Sequence, residues 1–97
     1  MNDLGGPTII IKQRHHKGAE QFDQAKLHKS LVAACLEAGS PNGHADQLAR
    51  RVVDSVILWL KDHPEVTSQD VRRAAARYLR IYHPDAAYLY EHHRKIL

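Results

Sequence analysis

The feature that most constrains the fold is a helix start inside the stretch VTSQDVRRAAARYLRIYHP. Thr67 is a favourable N-cap, and Asp70 stands three residues later as a short form of the capping box. Val66 and Val71 are placed to form a hydrophobic staple across the same boundary. The spacing therefore predicts a helix that begins near Ser68.

This helix, the third in the chain, is predicted to have two distinct faces and to end at Pro84. Pro84 also suits the first position of a fourth helix, PDAAYLYEHHRKIL. Arg73, Arg77 and Arg80 fall together on one face of the third helix and are expected to be solvated. The residues predicted to face the core are Val71, Ala74, Ala75, Tyr78, Leu79 and Tyr82.

Two earlier helices are predicted from apolar residues at helical spacing. The first begins at the N-cap Asp23 and is closed by Gly39. The second must stop before Pro64. The stripe of the first helix is Leu27, Leu31, Ala34, Cys35 and Ala38, and that of the second is Leu48, Val52, Val56, Trp59 and Leu60.

Before the helices, TIIIKQR is β-branched and apolar, HHKG suits a turn, and AEQF can return as a second strand. The 97 residues fit one domain. We expect residues 1–7 to be a flexible segment and residues 8–97 to form that domain.

Cysteine usage and hydropathy limit the cellular compartments in which the protein is expected. The one cysteine, Cys35, excludes an internal disulfide and a zinc ribbon, and its apolar neighbours predict a buried residue in a reducing compartment. No apolar run reaches the length of a membrane span, and MNDLGGP lacks the features of a signal peptide. A cytoplasmic protein is expected.

The charge pattern points to anions. Net charge is only +3, but basic residues cluster in the first strand and turn and again in the third helix. Lys26 and Lys29 stand on the opening turns of the first helix, where added cations are unfavourable unless an anion binds. The alternative is that both lysines are simply solvated.

Metal and catalytic chemistry are disfavoured. His15 and His16 are adjacent, as are His92 and His93, and neither spacing makes a ready chelate. No nucleophile, base and orienting acid can be argued from the chain. The sequence thus favours a protein that is not an enzyme and holds no metal of its own.

Taken in order, IIIKQR, HHKG, EQFD, Lys26, VTSQDV and HPDAAYLYEHHR resemble the ATP-cone, the nucleotide-binding regulatory domain of ribonucleotide reductases and of the zinc-ribbon repressor of their genes. The resemblance runs from about Thr8 to Leu97. It implies an α+β fold, with a small β-hairpin or three-stranded lid over a four-helix bundle. It also implies that ATP or dATP binds beneath the lid, with Mg²⁺ entering on the phosphates.

The resemblance assigns roles to the start of the first helix. Lys26 would meet a phosphate, and Glu20 would accept a hydrogen bond from the adenine amino group. The backbone around Phe22 and Asp23 would read the same edge of the base. Leu27, with Leu31, would support the base, although plain core packing is the favoured alternative for both leucines.

Further residues are implied on the first strand and the third helix. Lys12 and Arg14 would be phosphate ligands, but here Gln13 separates them and HHKG replaces the usual turn, so solvated charge is the alternative. Ser68 and Thr67 match a hydroxyl position of the family, where capping is the surer role for Thr67. Arg72 falls where the family has a polar residue that reaches the ribose or the phosphates.

The resemblance implies a regulatory module whose partners are an adenine nucleotide and a protein, or further copies of itself. Two alternatives stay open. The chain could be a small nucleic-acid-binding helical protein that uses the arginine face of the third helix, or a degenerate cone that serves as a dimerisation module. The sequence does not distinguish ATP from dATP, one nucleotide from two, or a free-standing protein from a domain of a longer one.

Overall fold

The computed structural model of the chain describes residues 10–12 and 19–92. Three short strands and four helices follow one another: β1 Ile10–Lys12, β2 Ala19–Gln21, α1 Gln24–Glu37, α2 Asn42–Lys61, β3 Glu65–Val66, α3 Ser68–Tyr82 and α4 Pro84–His92. The flexible segment predicted for residues 1–7 lies outside this description, as do the HHKG turn and the end of the fourth predicted helix.

Local signals set the helix starts as predicted. Thr67 Oγ1 accepts a hydrogen bond from the Asp70 backbone N–H, and Asp70 Oδ2 accepts one from the Thr67 N–H, each at 3.1 Å. The capping box is therefore complete. The two staple residues, Val66 and Val71, are both buried. At the next start, His83 Nδ1 accepts from the Ala86 N–H at 3.3 Å.

The end of α1 is a Schellman motif. Gly39 has φ +98°, the left-handed region that glycine enters without a steric penalty. Its N–H donates to the Leu36 carbonyl at 2.9 Å, and the Ser40 N–H donates to the Cys35 carbonyl at 3.0 Å. The predicted closure at Gly39 is confirmed, and α2 likewise ends before Pro64.

The core lies between the helices. Each helix packs on the next one in chain order, and α4 returns to pack on α1, so the four form a closed ring. Cys35 is fully buried, as predicted, and burial raises the pKa of its thiol. One predicted core aromatic differs, since Tyr82 is 41% exposed. Trp59 and Tyr78 are half-buried and pack against the core, and the Trp59 ring also stacks on His63 at 4.3 Å.

The predicted α+β fold with a hairpin or three-stranded lid over the bundle is wrong for the described residues. The helices have 14, 20, 15 and 9 residues, whereas the strands have only 3, 3 and 2. Strand β1 pairs antiparallel with β2 and parallel with β3. Among the described strands, β3 packs on a helix, which is α3.

The physical reason is the size of the ladders. Ladders of two or three residue pairs are too short to form a layer of the fold, whereas the helices bury continuous apolar stripes against one another. The fold is thus a helical bundle with a minor strand element beside it. No helix in the described part of the chain is long and apolar enough to cross a membrane.

Candidate functional site

The start of α1 carries the first group of predicted site residues. Asp23 caps the helix, and its Oδ1 accepts a hydrogen bond from the Lys26 backbone N–H at 3.0 Å. Both side chains are exposed, and the first turn holds no acidic residue. The unpaired N–H groups of this turn carry partial positive charge. Lys26 adds a full positive charge, which the carboxylate of Asp23 offsets. This helix end is therefore suited to attract an anion.

The apolar residues beside this turn belong mainly to the core. Leu27 is 7% exposed and Leu31 is fully buried. Phe22 is half-buried and packs against the core from the segment that leads into α1. Among these three residues, Phe22 exposes the most side-chain surface to solvent beside the start of α1.

The start of α3 carries the second group. Thr67 serves the capping box, while Ser68 and Arg72 are half-buried on the first two turns. They line a cavity of about 360 Å³, called here the α3 cavity, whose walls are Ser68, Gln69, Arg72, Arg73 and Glu91. The cavity therefore combines the positive end of a helix dipole with two guanidinium groups.

Glu91, the acidic residue that lines the α3 cavity, forms an ion pair with a neighbouring arginine. Glu91 Oε2 accepts a hydrogen bond from Arg80 Nη2 at 2.7 Å. That ion pair offsets the carboxylate charge that an anionic ligand would otherwise meet. It also occupies Arg80, so Arg80 is not a free member of the predicted arginine face.

The two groups are linked through the bundle by α4. Tyr90 is 1% exposed, and burial raises the pKa of its hydroxyl, whereas hydrogen bonding with the Ser30 side chain and the Arg72 charge lower that pKa. Ser30 lies one turn after Lys26 on α1, and Arg72 lies on α3. Tyr90 is thus buried on α4, which packs against both α1 and α3.

Three predicted site residues are not located by this geometry. Lys12 lies in β1 and Glu20 in β2, opposite Ile11, and only their backbone is described. Arg14 lies outside the described residues. Their predicted contacts with phosphate and adenine remain predictions.

A second, larger cavity lies between α1 and α2. It measures about 550 Å³ and is lined by Gln24, Ala25, His28, Arg50, Val53 and Asp54. At its edge His28 Nε2 lies 3.0 Å from Asp46 Oδ1, and Asp46 Oδ2 accepts a hydrogen bond from Arg50 Nε at 3.0 Å. Its arginine is already paired with a carboxylate, so it is less suited to an anion than the α3 cavity.

The described residues hold no group of three or more histidine, cysteine or carboxylate side chains that could bind a metal ion.

Sequence reasoning missed Ser30 and Tyr90. Ser30 breaks the apolar stripe of α1 between Leu27 and Leu31, and it is the buried polar residue of the core. A polar residue inside an otherwise apolar stripe is a signal that could have been used. Tyr90 stood among four tyrosines, and nothing in its spacing marked it as the buried one.

A comparison with protein families decides what kind of domain this is. A family model described as the ATP cone domain matches residues 9–96. The chain belongs to the ATP-cone family. The match spans all four helices and both groups of site residues, so the predicted resemblance is confirmed.

A curated relative of this ATP-cone is the transcriptional repressor NrdR of Crocosphaera subtropica. The two are 32% identical over 76 residues, which cover 76% of this chain and 37% of the relative. The chain thus spans little more than a third of the repressor. No solved structure matches the chain.

Proposed function

We propose that this ATP-cone, a single domain over residues 8–97, is a non-enzymatic regulatory module that binds ATP or dATP. Its nucleotide occupancy would control the activity or oligomeric state of a protein partner, attached or separate. The observation that carries the proposal is the α3 cavity, in which Ser68 and Arg72 stand at a positive helix end inside a chain of the ATP-cone family.

In this proposal the phosphates lie between the two groups of the candidate site. Lys26 of α1 and Arg72 of α3 neutralise the phosphate charge, and Ser68 and the N–H groups of α3 donate hydrogen bonds. Lys12 and Arg14 add charge from the strand side. Mg²⁺ accompanies the nucleotide, since phosphate oxygens are ligands that it prefers.

The adenine would be recognised next to the start of α1. Glu20 accepts a hydrogen bond from the adenine amino group, and the backbone of Phe22 and Asp23 pairs with the same edge. Guanine presents a carbonyl oxygen where adenine has an amino group, so it would face the carboxylate without a proton to donate. Leu27 supports the base only through its small exposed edge.

A reversal of charge at Lys26 tests the proposal. Lys26→Glu should weaken binding of Mg-ATP about tenfold or more, because it replaces attraction to phosphate by repulsion. Lys61→Glu is the matched control, since Lys61 is an exposed lysine at the far end of α2. The measurement is the dissociation constant from calorimetry. Equal affinities for the two variants would contradict the proposed site.

Nucleic acid is a second candidate partner, favoured by one observation. Arg73 and Arg77 are exposed and line a cavity of about 370 Å³ with Trp59 and His63, which stack at 4.3 Å. Guanidinium groups beside an aromatic pair suit a phosphate backbone and its bases. Under this candidate, polyanion binding would fall steeply with salt and be lost in an Arg73→Glu, Arg77→Glu variant, while Lys26→Glu would change it little.

We propose a cytoplasmic location, supported by the buried free thiol of Cys35, a residue type that persists unpaired where thiols stay reduced.

A further inference from the structure

The α3 cavity has an acidic residue in a wall that is otherwise neutral or basic. Among the described residues that line it, Glu91 carries the negative charge, whereas Ser68, Gln69, Arg72 and Arg73 are neutral or positive. Two guanidinium groups and a positive helix end attract a phosphate, but a carboxylate repels one. Phosphate binding alone therefore does not explain why Glu91 lines this cavity.

The Glu91 carboxylate is held in place by an ion pair between two helices. Arg80 of α3 donates a hydrogen bond from Nη2 to Glu91 Oε2 at 2.7 Å. A carboxylate offers about four acceptor positions, and this bond occupies one of them. The Glu91 side chain is 39% exposed, so a ligand in the cavity can reach it. The ion pair thus orients a group that can accept further hydrogen bonds at the cavity wall.

Glu91 also lies between the two groups of the candidate site. It is on the last turn of α4, the helix that packs on both α1 and α3, and it meets the start of α3 in the cavity. In the function proposed above, the adenine is at the start of α1 and the phosphates are at Arg72. The ribose joins the two, so the end of α4 is the part of the bundle that the ribose would meet.

We propose that Glu91 is a specificity-determining residue, whose carboxylate accepts hydrogen bonds from the ribose hydroxyls of the bound nucleotide. The proposal rests on the function proposed above and adds to it a means of distinguishing ATP from dATP. ATP presents both the 2′-hydroxyl and the 3′-hydroxyl, whereas dATP presents the 3′-hydroxyl alone. A carboxylate that accepts from ribose hydroxyls serves the same purpose in dinucleotide-binding folds. The charge that opposes phosphate thus favours the sugar.

The test measures the ratio of the dissociation constants for Mg-dATP and Mg-ATP by calorimetry. Loss of a carboxylate beside the phosphates strengthens the binding of both nucleotides alike, so the ratio isolates the contribution of the 2′-hydroxyl. In Glu91→Ala the ratio of the dATP constant to the ATP constant should fall about tenfold from its wild-type value, as expected for the loss of one charge-assisted hydrogen bond. Thermal unfolding shows that the variant is folded.

Two variants serve as controls. Glu37→Ala removes an exposed glutamate at the end of α1, on the opposite end of that helix from Lys26, and should leave the ratio unchanged. Arg80→Met removes the ion pair but keeps the carboxylate, so it should lower the ratio less than Glu91→Ala does. Inorganic tripolyphosphate carries the charge without the sugar, and Glu91→Ala should bind it at least as tightly as the wild-type chain.

Three results would overturn the inference while the proposed function stands. One is binding of both nucleotides with the wild-type ratio in Glu91→Ala. Another is an equal fall of the ratio in Arg80→Met, which would show that Glu91 acts only through the ion pair. The third is weaker tripolyphosphate binding in Glu91→Ala. If neither nucleotide binds to the folded wild-type chain, the proposed function fails and the inference fails with it.

Discussion

At the scale of single residues, the start of α3 depends on one threonine hydroxyl. Thr67 accepts a hydrogen bond from the Asp70 N–H, and it lies in the chain between the buried Val66 and Val71. The cap and the hydrophobic staple therefore both stabilise the start of α3. Thr67→Ala should lower the free energy of unfolding by about 1 kcal/mol. Thr67→Ser keeps the hydroxyl and should cost much less. Urea unfolding of both variants measures this, and equal losses would show that the hydroxyl is not the source of the stability.

Cys35 makes the free energy of unfolding depend on pH in alkaline solution. Burial raises the pKa of its thiol in the folded chain, so the folded state holds the proton more tightly than the unfolded state does. This contribution is complete below the ordinary thiol pKa of about 8.5 and is lost as pH rises through the folded pKa.

As pH rises above the ordinary thiol pKa of about 8.5, the free energy of unfolding should therefore fall more steeply in the wild-type chain than in Cys35→Ala. The difference in slope is at most about 1.4 kcal/mol per pH unit for one proton. Parallel curves from urea unfolding at a series of pH values would contradict this account of Cys35.

At the scale of elements, the turn after α1 is fixed by backbone conformation. An added Cβ at Gly39 would meet no atom within 4 Å, but the φ of +98° strains any L side chain there. Gly39→Ala should therefore destabilise the chain by about 1–2 kcal/mol.

Gly43 also has open space but lies inside α2 without a positive φ. Gly43→Ala should stabilise it by about 0.5–1 kcal/mol. Thermal unfolding of both variants distinguishes strain from crowding, and changes of the same sign would contradict the argument.

The helices could be predicted because their signals are local. Asp23, Thr67 and Gly39 each act within one turn of the chain, and the apolar stripes follow from spacing alone. The extent of the strands could not be predicted, since pairing depends on partners distant in sequence, and TIIIKQR contributes only Ile10–Lys12 to the described ladder.

The site was predictable only in part for a similar reason. Lys26, Ser68 and Arg72 could be named as candidates because they stand at helix starts that the sequence marks. Tyr90 was missed because its burial results from α4 packing back on α1, and the neighbours Ser30 and Arg72 lie 60 and 18 positions away along the numbering of the chain. The exposure of Tyr82 was missed because Arg51 of α2 lies beside its ring, 5.9 Å from the centroid, at the rim of the bundle.

At the scale of the whole molecule, the closed ring of helices would give the proposed nucleotide a way to act at a distance. The proposed ligand would contact α1 and α3, which lie across the ring from each other, and both of these helices pack on α4. A ligand that favours one arrangement of these helices would shift the surface that they present to a partner. Exposed apolar side chains on α3 and α4 are Ile81, Tyr82 and Tyr88.

The most direct test of the central claim is calorimetric titration of the purified chain with ATP, dATP and GTP, each with Mg²⁺, at moderate salt. We predict saturable binding of the two adenine nucleotides, with GTP at least about tenfold weaker because guanine mismatches the donors and acceptors at the start of α1. No binding heat from any of the three at several temperatures, in a chain shown by circular dichroism to be folded, would contradict the claim that this ATP-cone senses nucleotides.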